Sequence, residues 1–231
     1  MEPTLLLWDV DGTILRNKGA GKRAMDRAFE EAFGVANAFD GIQMAGGLDL
    51  HFIHTAFQNA NLPLERLPEF LDAYYPALEA ELQTNDTRLM PGVVEILEET
   101  EDRPHLYNAL GTGNLERGGR IKLENLPQDL NPYFPVGGFC EEACERYQML
   151  KKGIEKAEQH YGVSFAPQNV IIIGDTVKDI AAARSLGARV VAVATGGNAY
   201  DVLEAAEPDL LLEDLSDIER FFAFCAGHPT P

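Results

Sequence analysis

The run Asn169-Val170-Ile171-Ile172-Ile173-Gly174 limits what this chain can fold into more than any other feature. A strand that is apolar on both faces belongs to a parallel sheet covered by helices on both sides, whereas a half-exposed strand alternates polar and apolar residues. The sequence around it alternates accordingly from about residue 90 onward. A helix opened by Pro91-Gly92 runs to about Glu101, followed by a strand over His105–Leu110 and a helix over Leu115–Leu123. A weaker strand around Pro135–Gly138 and a helix over Tyr147–Tyr161 lead into the apolar run. After it come a helix over Ile180–Leu186 closed by Gly187, a strand over Ala188–Ala194, a helix over Tyr200–Ala206, a strand over Asp209–Leu212 and a last helix over Leu215–Phe224. Repeated units of this kind predict an α/β fold built on a doubly wound parallel sheet.

Residues 16–88 break the alternation. They hold three amphipathic stretches, Ala20–Phe33, Leu48–Ala60 and Leu67–Leu82, and no convincing strand. The expected organisation is a core of residues 1–15 and 89–231 with an all-helical cap of residues 16–88 inserted after the first core strand, where it would lie over the strand ends like a lid. The tail Gly227–Pro231 reads as disordered.

That first strand, Leu5-Leu6-Leu7-Trp8, ends in Asp9-Val10-Asp11-Gly12-Thr13. Strand ends are where open α/β sheets place their chemistry. Period-2 geometry predicts that Asp9 and Asp11 share a face, and two anions so close require a cation or a shared proton. Gly12 permits a sharp turn, across which Thr13 is expected to hydrogen-bond. A second acidic group, Gly174-Asp175-Thr176-Val177-Lys178-Asp179, follows the apolar run, with Asp179 spaced to return to the face of Asp175. Taken alone it would be an ordinary helix cap with an acidic first turn. Together the four carboxylates supply hard oxygen ligands suited to Mg²⁺. Between the two groups, Ala109-Leu110-Gly111-Thr112-Gly113-Asn114 ends a further strand, where a hydroxyl and free backbone N–H groups suit an anion.

Net charge is −18, from 19 Lys plus Arg against 37 Asp plus Glu, which argues against nucleic acid and acidic membrane surfaces as partners. A small phosphorylated substrate remains compatible, because a local metal and a few cations outweigh a screened distant surface. Cys140, Cys144 and Cys225 form neither a disulfide framework nor a zinc pattern. With no signal-type N-terminus and no apolar run near ~18 residues, the expectation is a soluble cytoplasmic protein.

In order and placement, these three segments resemble the haloacid dehalogenase superfamily of phosphohydrolases, in particular members whose helical cap follows the first core strand (phosphoglycolate phosphatase-like). Asp9-Val10-Asp11-Gly12-Thr13 is similar to the family's first motif, Thr112 to its second, and Gly174-Asp175 with Asp179 to its fourth. The resemblance implies Asp9 as nucleophile, forming an aspartyl-phosphate, and Asp11 as general acid then base. It implies Mg²⁺ held by the Asp9 carboxylate, the Asp11 backbone carbonyl and Asp175, with Asp179 reaching it indirectly, and phosphoryl oxygens held by Thr112, Gly113 and Asn114. The third motif departs from the family, because Glu145-Arg146-Tyr147-Gln148 stands where a lysine is usual. Arg146 can bind phosphate through its fork and is favoured over Lys151 and Lys152, which fall on a helix face expected to be solvated.

Substrate choice is expected to come from Arg16, Asn17 and the turn Ala45-Gly46-Gly47-Leu48-Asp49, with the Thr195-Gly196-Gly197-Asn198 loop as a possible border. His51 and His54 read as ordinary surface or core residues. The leading function is hydrolysis of a small phosphomonoester. A phosphosugar mutase and a non-catalytic phosphate-binding protein on the same fold are the alternatives. The alcohol part of the substrate and the oligomeric state are not encoded in any motif.

Overall fold

The computed structural model describes residues 2–84 and 87–227; the tail beyond Gly227, expected to be disordered, lies outside the described residues. Among the described residues, eight strands form: β1 (Thr4–Trp8), β2 (Leu15–Arg16), β3 (Arg88–Leu89), β4 (Leu106–Gly111), β5 (Gly137–Gly138), β6 (Val170–Gly174), β7 (Arg189–Val193) and β8 (Leu210–Leu212). The same residues hold nine α-helices: α1 (Ala20–Phe33), α2 (Asp49–Asn59), α3 (Leu67–Thr84), α4 (Val93–Glu101), α5 (Glu116–Glu124), α6 (Arg146–Tyr161), α7 (Val177–Leu186), α8 (Tyr200–Ala205) and α9 (Ile218–Cys225).

Six strands make one parallel sheet in the order β5-β4-β1-β6-β7-β8. β1 is central, paired with β4 on one side and β6 on the other, so the strand order reverses beside it. Such a reversal opens a crevice at the carboxyl ends of the strands. The pleat sends Leu5 and Leu7 to one face and Leu6 and Trp8 to the other, and all four are fully buried. Each face carries its own apolar cluster, one under α6 and α7 and one under α4 and α9. The Trp8 indole donates to Asn108 (3.0 Å), which donates to the Thr100 hydroxyl (2.7 Å), so the buried polar atoms between sheet and helix are paired.

α1, α2 and α3 pack on one another through aromatic rings. Phe29 meets Phe57 edge-to-face at 5.3 Å and lies 5.9 Å from Phe70, and Tyr74 stacks on Phe70 at 5.6 Å. The chain enters and leaves this helical segment through β2 and β3, which pair antiparallel (Leu15 with Leu89, Arg16 with Arg88). These two-residue strands are too short to leave a period in the sequence, which is why they were not foreseen. Among the described residues, no helix is long and apolar enough to cross a membrane.

Candidate active site

β1 ends at Trp8, one residue before the first acidic pair. The Asp9 N–H still bonds the Ile173 carbonyl of β6 (2.9 Å), and then the Val10 carbonyl accepts N–H groups from Thr13, Ile14 and Leu15. Asp9 and Asp11 therefore reach the same cavity from a tight turn, and the pleat that predicted their shared direction stops short of both. The turn needs Gly12, whose φ is +86°. A Cβ at Gly12 or at Gly196 would also occupy the space of the Asp175 carboxylate. The bond across the turn comes from Thr195, whose hydroxyl donates to the Gly12 carbonyl (2.5 Å); the Thr13 hydroxyl, expected in that role, is buried without a partner.

Carboxylate oxygens of Asp9, Asp175 and Asp179 lie within 4.8 Å of one another, and all three residues are buried. Burial pushes the Asp9 carboxyl up to about 6, opposed by Arg146 and reinforced by Asp179. Burial also pushes Asp175 up to about 8, with repulsion from Asp9 and Asp179 adding to it. One Asp175 oxygen accepts the Gly197 N–H, while the other, Oδ1, is buried with no hydrogen-bond partner. An orphaned buried carboxylate oxygen facing a second carboxylate fits a hard divalent cation such as Mg²⁺. Asp179 differs, because both its oxygens are already engaged. Oδ2 accepts from the Thr176 N–H (3.1 Å) and hydroxyl (2.6 Å), closing the cap of α7, and Oδ1 accepts from Arg146 Nε (2.8 Å).

Arg146 opens α6 and is nearly buried. Its Nη2 sits 2.8 Å from Asp9 Oδ2 and 2.6 Å from Asp179 Oδ1. Burial opposes its charge, yet the two carboxylates outweigh this and raise its proton affinity further. Of the three cations considered for the third motif, Arg146 lines the cavity, whereas Lys151 and Lys152 are exposed and Lys152 pairs with Glu155 (2.7 Å).

Asp11 accepts hydrogen bonds from Asn17 (2.9 Å), Asn114 (2.8 Å) and Lys122 Nζ (2.5 Å). Burial alone would raise its carboxyl, but the Lys122 charge and these bonds prevail and hold it below the usual range. Thr112 is fully buried and hydrogen-bonds Asp9. Asn114, read as a phosphate contact, spends its side-chain amide on Asp11, Thr112 and Lys122. Lys122 is the site residue that sequence reasoning missed. On α5 it is buried beside Gly118, Gly119, Ile121 and Leu123, where an unpaired lysine would be costly, and the partners that pair it lie far away in sequence.

The helical segment covers these groups over a cavity of about 460 Å³ that is partly open to solvent. The Asp49 N–H donates to the Gly113 carbonyl (2.8 Å), the Leu115 N–H donates to Asp49 Oδ2 (3.1 Å), and Lys178 donates to the Ala45 carbonyl (2.8 Å). Gly113 packs so tightly on the Gly47 carbonyl that a Cβ there would overlap it. Arg16, Asn17, Ala45, Gly46, Gly47 and Asp49 line the cavity, as do Gly196 and Gly197, whereas Leu48 of the same turn does not. His51 and His54 do not line it.

Comparison with known proteins agrees with this arrangement. The HAD-hydrolase-like family model matches residues 135–218. The chain is 30% identical over 164 residues to the phosphoglycolate phosphatase of Synechococcus elongatus, covering 70% of this chain and 68% of that protein. Its fold is similar to that of a phosphoglycolate phosphatase predicted in Haemophilus somnus 129PT (TM-score 0.68, 19% identity, 96% of this chain and 99% of that one). It is also similar to CbbY from Rhodobacter sphaeroides solved with phosphate (TM-score 0.71, 19% identity, 94% of this chain and 96% of that one). A variant of CbbY solved with xylulose-(1,5)bisphosphate matches at TM-score 0.71 and 18% identity, over 94% of this chain and 96% of that one.

Proposed function

The chain belongs to the haloacid dehalogenase superfamily, among its phosphoglycolate phosphatase-like phosphatases, and from that premise we propose that it hydrolyses small phosphorylated metabolites with Mg²⁺ through an aspartyl-phosphate on Asp9. The observation that carries this reading is the meeting of Asp9, Asp11, Thr112, Arg146 and Asp175 around one cavity. Asp9 and Asp175, with the Asp11 backbone carbonyl, would hold Mg²⁺, which when bound neutralises charge so that an anionic nucleophile can approach an anionic ester.

An Asp9 oxygen attacks phosphorus in line as the bond to the alcohol oxygen breaks, and the alcohol takes a proton from Asp11. Water, giving its proton to Asp11, then attacks the same phosphorus and releases Asp9 and inorganic phosphate. Held as a carboxylate by Lys122, Asp11 is ready for the second half; an anionic substrate arriving beside it raises its proton affinity for the first. Arg146 and Thr112 hold the non-bridging oxygens, and Asp179 fixes Arg146 for that purpose. The helical cap, residues 16–88 on this reading, covers the strand ends and displaces bulk solvent, which strengthens the polar contacts to the phosphoryl group.

The test is phosphate release from a panel of phosphomonoesters, with Mg²⁺, with chelator, and with Asp9→Asn. Release that requires both Mg²⁺ and Asp9 supports the proposal. Metal-loaded, folded protein that releases nothing from any ester overturns it.

A further inference from the structure

Lys122 comes from a helix outside the three acidic or anion-binding segments, yet its ammonium stands inside the cavity. The residue is 4% exposed, and its Nζ bonds Asp11 Oδ2 at 2.5 Å and the Asn114 carbonyl oxygen. Asn114 in turn donates to the same Asp11 oxygen at 2.8 Å. The three groups close a ring in which Asp11 Oδ2 has two donors and Asn114 cannot flip its amide without losing both contacts. Asn17 holds the other Asp11 oxygen at 2.9 Å, so both carboxylate oxygens have assigned directions. Gly21, on α1, borders this ring, its Cβ position lying at ordinary contact distance, 3.7 Å, from Lys122 Nζ. Asp49, on α2, adds a second negative charge toward Lys122 while it bonds the Leu115 N–H at the start of α5.

We propose that Lys122 is a positioning residue for the reaction. It fixes the orientation of the Asp11 carboxylate through a ring shared with Asn114, and it ties that orientation to the docked helical segment through Asp49. This rests on the reading of Asp11 as acid and base. A lysine serves here because a buried ammonium has three protons to share among acceptors on different elements. A misdirected general acid costs turnover while leaving the phosphate contacts intact.

The experiment compares Lys122→Met, Asp11→Asn and the double variant, each with Mg²⁺ and glycerol 2-phosphate, whose alkoxide leaving group needs a proton, with circular dichroism to verify folding. The expected result is a kcat in Lys122→Met lowered ~10²-fold with KM within about threefold of the parent, and a double variant no slower than Asp11→Asn alone. Multiplying losses in the double variant would mean that Lys122 acts apart from Asp11, and would overturn the proposal. So would a parent-like kcat in Lys122→Met beside an inactive Asp11→Asn. If Asp11→Asn itself keeps the parent kcat, it is the acid–base reading that fails. Should Lys122→Met not fold, Lys122→Gln, which keeps an N–H donor, carries the same comparison.

Discussion

Arg146 Nη2 lies 2.8 Å from Asp9 Oδ2, so the group proposed to hold phosphate is paired with the group proposed to attack it. The same guanidinium bridges to Asp179, and all three side chains are nearly buried. Removing the cation leaves two buried carboxylates facing each other. Arg146→Met is therefore expected to lose about 3 kcal/mol of stability in chelator, the range for breaking a buried pair, with part of that loss recovered in Mg²⁺. Urea denaturation of both proteins with and without the metal measures it. A variant as stable as the parent in chelator would show that the pair does not carry this load.

Asp175 supplies the orphaned oxygen that best suits a divalent cation. Ligand that binds only the folded state raises stability by an amount set by concentration over Kd, about 2.7 kcal/mol at a hundredfold excess. The parent is expected to melt at a higher temperature as Mg²⁺ is added, and Asp175→Asn to show little or no such rise. Calorimetric scans over a Mg²⁺ series distinguish the two; equal shifts would remove Asp175 from the metal site.

The acidic pair at β1 and the group after β6 were legible because their motifs are contiguous and each sits at a predicted strand end. Arg146 could be chosen over Lys151 and Lys152 because helix periodicity already put the two lysines on a solvated face. Lys122 was hidden for the opposite reason: it is joined to Asp11 across 111 residues of sequence by tertiary packing alone. The Thr13 expectation failed similarly. The hydroxyl that spans the turn belongs to Thr195, 183 residues from Gly12, and no local pattern announces it. Asp49 was visible as the end of a glycine-rich turn, but its grip on Leu115 depends on how the helical segment docks.

Burial pushes the Asp49 carboxyl up from its ordinary value near 3.8 to about 6, against the opposing pull of Lys122. The unfolded chain releases this proton first, so stability is fully present below about pH 4 and is lost as pH rises through 6. Asp49→Asn keeps an acceptor for the Leu115 N–H without the charge. It is expected to exceed the parent by up to roughly 3 kcal/mol at pH 7.5, with the gap closing toward pH 4. Denaturant midpoints at pH 4.5 and 7.5 test the sign, and a gap that widens in acid would contradict it.

Gly113 has no room for a side chain because the Gly47 carbonyl of the helical segment rests on it. Gly113→Ala is expected to lower kcat/KM about 10²-fold by displacing the segment from the strand ends, while melting changes little. Faster cleavage in limited proteolysis around residues 45–49 would report the displacement directly. Parent-like kinetics would show that this contact does not govern closure.

The two linkers at β2 and β3 leave the sheet side by side, Arg16 opposite Arg88. Paired residues of an antiparallel ladder sit only about 5 Å apart, the span of a hairpin turn. The sheet therefore needs nothing from the insert to keep its own connectivity: the intervening polypeptide can be lengthened, replaced or reduced to a tight turn without moving β1 relative to β4. Divergence in which esters are accepted can proceed in one stretch of the chain while the strand-end carboxylates stay unchanged.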